Sequence, residues 1–243
     1  MERNVDRILV ALDVPSADAA LVLADELRGA VGGFKIGSQL FTAAGPSIVR
    51  TLADKGDRVF LDLKFHDIPN TVAGAIASAG TLGVWMVNVH ATGGAAMLEA
   101  ARRAADETAA ATGRARPLVI AVTVLTSLDA PTLTSVGVND SPMDQVVRLA
   151  KLTQGARLDG VVASPLETAA IRAACGPNFV IVTPGIRGGS ATSGPDDQQR
   201  TSTPSGAVEA GSTYLVIGRP ITGAARPREA AMAIAESLSA PTA

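Results

Sequence analysis

The sequence is poor in the residues that staple or metallate a small protein. Its 243 residues include one cysteine, Cys175, which rules out an intrachain disulfide and a multi-cysteine zinc site. The two histidines, His66 and His90, lack metal-ligand spacing, and no Cys/His cluster exists, so no bound metal is expected. Aromatic residues make up only 3%. Charge is nearly balanced, 21 basic against 23 acidic residues, and gives no overall attraction to nucleic acid or an anionic membrane. No apolar run reaches the ~20 residues that span a bilayer. The polar, charged start at 1–6 lacks the basic flank and apolar core of a secretion signal. A cytoplasmic protein with neither nucleic-acid nor membrane partners is the expectation.

What is abundant is aliphatic. Hydrophobic residues reach 47%, mostly Ala, Val, Leu and Ile, which suits branched strands buried on both faces and helices that approach them closely. Short aliphatic runs recur at 8–12, 33–36, 59–63, 85–89, 118–122, 160–163, 179–183 and 214–217. A helix-like stretch follows each: 16–28, 39–55, 69–82, 95–111, 142–155, 165–174, a weaker one near 204–210, and 227–238. Eight strand–helix units predict an α/β fold, a single (β/α)8 TIM barrel occupying 1–243 as one domain. An open doubly wound sheet is the alternative, but no G-x-G-x-x-G follows the first strand. Two connections are long: 128–141 after the fifth strand, and 188–202 after the seventh. The second reads GGSATSGPDDQQRTS, a polar loop expected to act as a lid over the face where barrel enzymes build their sites.

Charged residues interrupt the aliphatic pattern at strand ends. The third strand reads FLDLKFHD, and strand alternation predicts Asp62, Lys64 and His66 on one side, with Leu61, Leu63 and Phe65 on the other. Lys35 is expected to end the second strand and Asp13 the first, with Asp67 opening the loop beyond the third. Acids and lysines brought together there would need one another, because a buried charge is expensive alone. Such a constellation fits either a catalytic array or an ion-pair network closing the barrel top. After the eighth strand, VIGRPIT places Gly218 where backbone can approach an anion and Arg219 where a guanidinium can grip phosphate. Cys175 reads as an inert packed thiol, Trp85 and Met86 as core, and the lack of a G-x-S-x-G elbow argues against a serine hydrolase.

FLDLKFHDIPNT at 60–71 resembles the D-x-K-x-x-D-I-x-x-T signature of the orotidine 5′-phosphate decarboxylase family. The pieces ALD (11–13), FKIG (34–37), VTVLTS (122–127), TPGIR (183–187), DDQQR (196–200) and VIGR (216–219) accompany it in order. The resemblance covers nearly the whole chain and looks like the bacterial branch. It implies conversion of orotidine 5′-monophosphate to UMP and carbon dioxide, the last step of de novo pyrimidine biosynthesis, without metal or organic cofactor.

By that resemblance, Lys64 is the cation and proton donor at C6 of the pyrimidine, and Asp62 holds it beside the departing carboxylate. Lys35 and Asp67 complete the array. Asp13 and Lys35 match contacts to the ribose and Thr126 one to the pyrimidine. Gln198, Arg219 and the Gly218 backbone match the phosphate grip, with Pro184 and Arg187 at neighbouring binding positions. The segment with Asp67, Ile68 and Thr71 reaches the partner's site, which implies a homodimer. Two rival readings stay open. One is a magnesium-dependent sugar-phosphate lyase or decarboxylase of the same superfamily, which resembles this chain less because it carries an acid where Lys35 stands and lacks the I-P-N-T continuation. The other is a phosphate-binding barrel without catalysis.

Overall fold

The computed structural model of the protein describes residues 4–186 and 202–238. Arg187, Gln198 and all of the 188–202 loop but Ser202 lie outside the described residues. Eight strands form one closed parallel barrel in sequence order. They are β1 (Ile8–Ala11), β2 (Gly33–Gly37), β3 (Val59–Phe65), β4 (Met86–His90), β5 (Leu118–Val122), β6 (Gly160–Val162), β7 (Val180–Thr183) and β8 (Tyr214–Ile217). Pairing of β1 with β8, Val10 opposite Ile217, closes the ring. All eight overlap the aliphatic runs, because strands buried on both faces favour aliphatic side chains.

Helices cover the outside, and local chemistry sets where they start. Five helical segments begin on proline, at Pro69, Pro142, Pro165, Pro204 and Pro227, where the missing N–H would have no intrahelical acceptor. Ser16, Asp129, Ser141 and Thr203 accept hydrogen bonds from backbone N–H groups of the first turns they precede. Two expectations change. The stretch 39–55 is two helices, Ser38–Ala44 and Ser47–Asp54, because Gly45 takes φ of 68° and Pro46 cannot continue the first. The long connection after β5 contains a helix, Ala130–Ser135, capped by Asp129 and carrying a proline in its first turn.

Alternation sorts the strand residues into two layers. Ile8, Val10, Phe34, Ile36, Leu61, Val87, Val89 and Leu215 join helix residues such as Leu27, Leu52, Ile76 and Leu98 in the layer between barrel and helices. Leu9, Ala11, Phe60, Met86, Ile120, Val182, Tyr214 and Val216 form a separate cluster, the filling of the barrel itself. Two residues beyond Phe60 and Met86, that inward alternation reaches Asp62 and Asn88. There the apolar filling ends and a polar layer begins.

Candidate active site

The polar layer lies at the carboxyl ends of β1 to β4. Lys35 is the middle residue of β2 rather than its last, and is 8% exposed. Asp13 lies two residues past the end of β1 rather than on it, since the strand closes at Ala11. Lys35 Nζ meets Asp13 Oδ1 at 3.2 Å and Asp62 Oδ2 at 3.5 Å. The second carboxylate oxygen of Asp62 accepts from Lys64 Nζ at 2.7 Å. Asp13, Lys35, Asp62 and Lys64 thus form a chain of alternating charge. Exposure is graded: the Asp62 and Lys35 side chains are 13% and 10% exposed, while Lys64 at 37% faces the mouth. Gly37 makes room for this chain, because a Cβ there would come within 3.0 Å of Lys35 Nζ and 3.3 Å of Asp13 Oδ1.

Simple alternation does not bring Asp62 and Lys64 together. The β3–β4 ladder runs from Leu61 opposite Val87 to Phe65 opposite Val89, so four steps of β3 match two of β4. Lys64 stands within this irregular stretch with φ of 53°, a left-handed conformation uncommon for any residue other than glycine. Asn88, fully buried on β4, fills the gap: Oδ1 accepts from Lys64 N–H at 2.8 Å and Nδ2 donates to Asp62 Oδ1 at 2.7 Å. Asn88 was not among the residues expected in the site. Its signal is a single amide on the inward alternation of a strand whose other residues before the terminal His90 are apolar.

Burial pushes the Asp62 carboxyl up, but the charges of Lys35 and Lys64 and the hydrogen bonds from Lys64 and Asn88 outweigh it. The group is held below its ordinary value and stays ionised. His90, at the end of β4, is shifted down by burial first, then by His66 and Lys64, against an opposing pull from Asp62. The His66 and His90 rings lie 5.4 Å apart.

The other expected residues fall around the same mouth or beyond it. Thr126 is half-buried in the turn after β5, and Pro184 follows β7. Gly218 follows β8 beside β1, where a Cβ would lie 3.7 Å from that of Ala11, and Arg219 opens the short helix Arg219–Thr222. Ile186 and Ser202, on either side of the undescribed segment, pair with each other at this end. Asp67 does not join the array within one chain: its Oδ1 accepts from Ile68 N–H at 2.6 Å. Asp67, Ile68 and Thr71 are all exposed, Ile68 at 67%. Among the described residues, no three His, Cys, Asp or Glu side chains gather into a metal-binding group. No described helix is long and apolar enough to cross a membrane.

Fold and site together define a (β/α)8 barrel whose carboxyl mouth carries a chain of ammonium and carboxylate charges. The comparisons with known proteins narrow the class. The chain belongs to the Orotidine 5′-phosphate decarboxylase / HUMPS family, whose model matches residues 6–234. It is 56% identical to the orotidine 5′-phosphate decarboxylase of Moorella thermoacetica, across 96% of this chain and 92% of that one. Its identity to the enzyme of the same name from Halorhodospira halophila is 54%, over 96% of each chain. The crystal structure of orotidine 5′-phosphate decarboxylase from Lactobacillus acidophilus superposes with a TM-score of 0.85 at 34% identity, covering 96% and 99% of the two chains.

Proposed function

We propose that this protein removes carbon dioxide from orotidine 5′-monophosphate to give UMP, in pyrimidine biosynthesis, with Lys64 as the proton donor. The observation that carries the mechanism is the contact of Lys64 Nζ with the buried, ionised Asp62 at the barrel mouth. Heterolysis of the C6–carboxylate bond leaves its electron pair at C6, in the plane of the ring and out of reach of the π-system. A fixed ammonium beside that carbon lowers the energy of the developing charge without reorganising, then transfers a proton to it, and solvent restores the proton to Lys64. Asp62 directs the ammonium through Oδ1, and Lys35 balances its other oxygen, Oδ2. Asp13 and Lys35 take the ribose hydroxyls, Thr126 the pyrimidine, and Gly218 and Arg219 the phosphate, with Pro184 alongside. Arg187 and Gln198, assigned to the same binding set, fall outside the described residues.

We read the protein further as a one-domain barrel and a cytoplasmic homodimer in which Asp67, Ile68 and Thr71 enter the partner's site. The exposed Ile68 and the outward Asp67 support this reading. So does a groove of about 340 Å³ between the helices Pro69–Thr81 and Gly94–Thr112, lined by Pro69, Ala73, Ala100, Arg103, Ala104 and Glu107. This groove is on the outer helices and is not the charged site.

Incubation with orotidine 5′-monophosphate, with and without exhaustive chelation, tests the activity. Equal amounts of UMP and carbon dioxide, at a rate the chelator leaves unchanged, are expected. Absence of turnover would overturn the reading, and loss on chelation restored by magnesium would favour the lyase alternative. Mixing Lys64→Ala with Asp67→Asn under subunit exchange should regenerate activity in mixed dimers. Failure in demonstrated heterodimers would return Asp67 to its own chain's site.

A further inference from the structure

Asn88 sits behind the charged array and the reaction as described above does not use it. Its side chain is 0% exposed, and burying a carboxamide without partners is costly, so both polar atoms must be satisfied. They are satisfied by two neighbours of the reacting centre alone: the Lys64 N–H on Oδ1 and the Asp62 carboxylate on Nδ2. The opposite amide orientation would set N–H against N–H and oxygen against carboxylate, so the chemistry fixes which end is which. At this point β3 has left its ladder with β4, and the amide of Asn88 stands in for the missing backbone partner. A non-glycine residue in the left-handed region is strained, and such a conformation persists where its surroundings hold it. Here the hold on Lys64 is the Asn88 carbonyl oxygen.

We infer that Asn88 is a positioning residue for decarboxylation: one amide clamps the backbone of Lys64 and the carboxylate of Asp62, and so aims the proton donor at C6. The inference rests on the activity proposed above. Asn88 reaches the reaction through Lys64 and Asp62 and needs no contact with substrate. Lys64 Nζ and Asn88 Nδ2 converge on the same oxygen of Asp62, so losing the amide frees both the carboxylate and the left-handed turn that carries the ammonium. The charged groups facing Asp62 are Lys35 from β2 and Lys64 from β3, with His90 from β4 within electrostatic range and Asp13 behind Lys35. With one donor to Asp62 gone, the acid limb of the rate profile must move to higher pH.

The test is steady-state turnover of orotidine 5′-monophosphate by wild type, Asn88→Ala and the isosteric Asn88→Asp, with UMP binding and thermal unfolding measured alongside. A misplacement of catalytic groups by ~1 Å can cost ~100-fold, so kcat is expected to fall by about that factor or more in both variants. KM and the UMP affinity should stay within about threefold of wild type, since Asn88 bonds to none of the groups assigned to ribose or phosphate, and the acid limb of kcat should rise in Asn88→Ala. Asn88→Ser, which keeps a hydroxyl able to donate to Asp62, should recover part of the lost kcat, and it carries the test if the alanine variant does not fold. Variants with wild-type kcat would overturn the inference, as would parallel losses of kcat, UMP binding and thermal stability with an unmoved acid limb. A wild type unable to turn over the nucleotide would instead overturn the proposed function, a separate and distinguishable result.

Discussion

The two ends of the barrel use the same inward positions for opposite purposes. At the amino end, Leu9, Phe60, Met86, Ile120 and Tyr214 pack as an apolar plug. Trp85 meets Tyr214 edge to face at 5.1 Å and carries the Arg58 guanidinium 5.2 Å above its ring. Two arginines at this end tie together the segments that lead into the strands. Arg116 grips Asp159 with two hydrogen bonds while Asp159 also accepts from Val119 N–H, and Arg172 donates to the carbonyls of Gly176, Pro177, Phe179 and Gly211. At the carboxyl end, two steps further along the same alternation, Lys35, Asp62 and Asn88 replace aliphatics, and the chain of charges ends on Lys64, partly open to solvent. The difference teaches where stability and chemistry reside. The lower layer gains from removing apolar surface from water, whereas the upper layer holds ionised groups which, in the proposed reaction, meet a charge that arises only in the transition state.

Breaking the upper layer at its centre should have a large effect on activity and stability together. Asp62→Ala leaves Lys35 and Lys64 facing each other without the anion between them. Turnover should fall by more than ~1000-fold, and unpairing the charges should cost stability on the order of 3–5 kcal/mol if the site stays dry. Kinetics and denaturant unfolding measure the two together, and loss of activity without loss of stability would show that Lys35 finds another partner. Gly37→Ala is a gentler test. The new Cβ presses on the Lys35 ammonium, and displacing it should lower kcat/KM by about tenfold, near 1.4 kcal/mol, with little change in unfolding temperature. An unaffected kcat/KM would show that Lys35 moves without consequence.

The smallest expected effect is one of pH. The folded state holds His90 below its ordinary value of 6.5, so around and below that pH the unfolded chain binds more protons than the folded one. Stability contributed by neutral His90 is therefore present above about 6.5 and is lost as pH falls. Thermal unfolding at pH 7.5 and 5.5 should give a lower midpoint at the acid value, and His90→Gln should narrow the gap. A gap unchanged by that substitution would place the titrating group elsewhere.

Most of the scaffold was legible because its causes are local. Short aliphatic runs marked all eight strands, and prolines stand at five helix starts. The charged cluster was legible as composition at strand ends, together with the resemblance of 60–71. What escaped depends on a second strand. Alternation placed Asp62 and Lys64 on one face, but their contact runs through a ladder irregularity and a left-handed Lys64 that Asn88, 24 residues away, holds in place. Nothing near Lys64 in sequence announces that partner. The helix at Ala130–Ser135 escaped because it is short and marked only by its Asp129 cap and a first-turn proline. Asp67 belongs to the signature, yet one chain leaves it outside the array, which is why its role has to be tested between chains.

The most direct measurement crosses the two ends: Lys64→Ala at the top and Phe60→Ala in the plug, each assayed for turnover of the nucleotide and for unfolding free energy. Lys64→Ala should lose at least ~10,000-fold in kcat, the upper range for removing a general acid, while unfolding within about 1 kcal/mol of wild type. Phe60→Ala should lose about 3–5 kcal/mol of stability from cavity formation and keep kcat per folded molecule within about tenfold. A Lys64→Ala variant retaining more than about a tenth of wild-type turnover, a loss of no more than ~1.4 kcal/mol of transition-state stabilisation, would contradict the account.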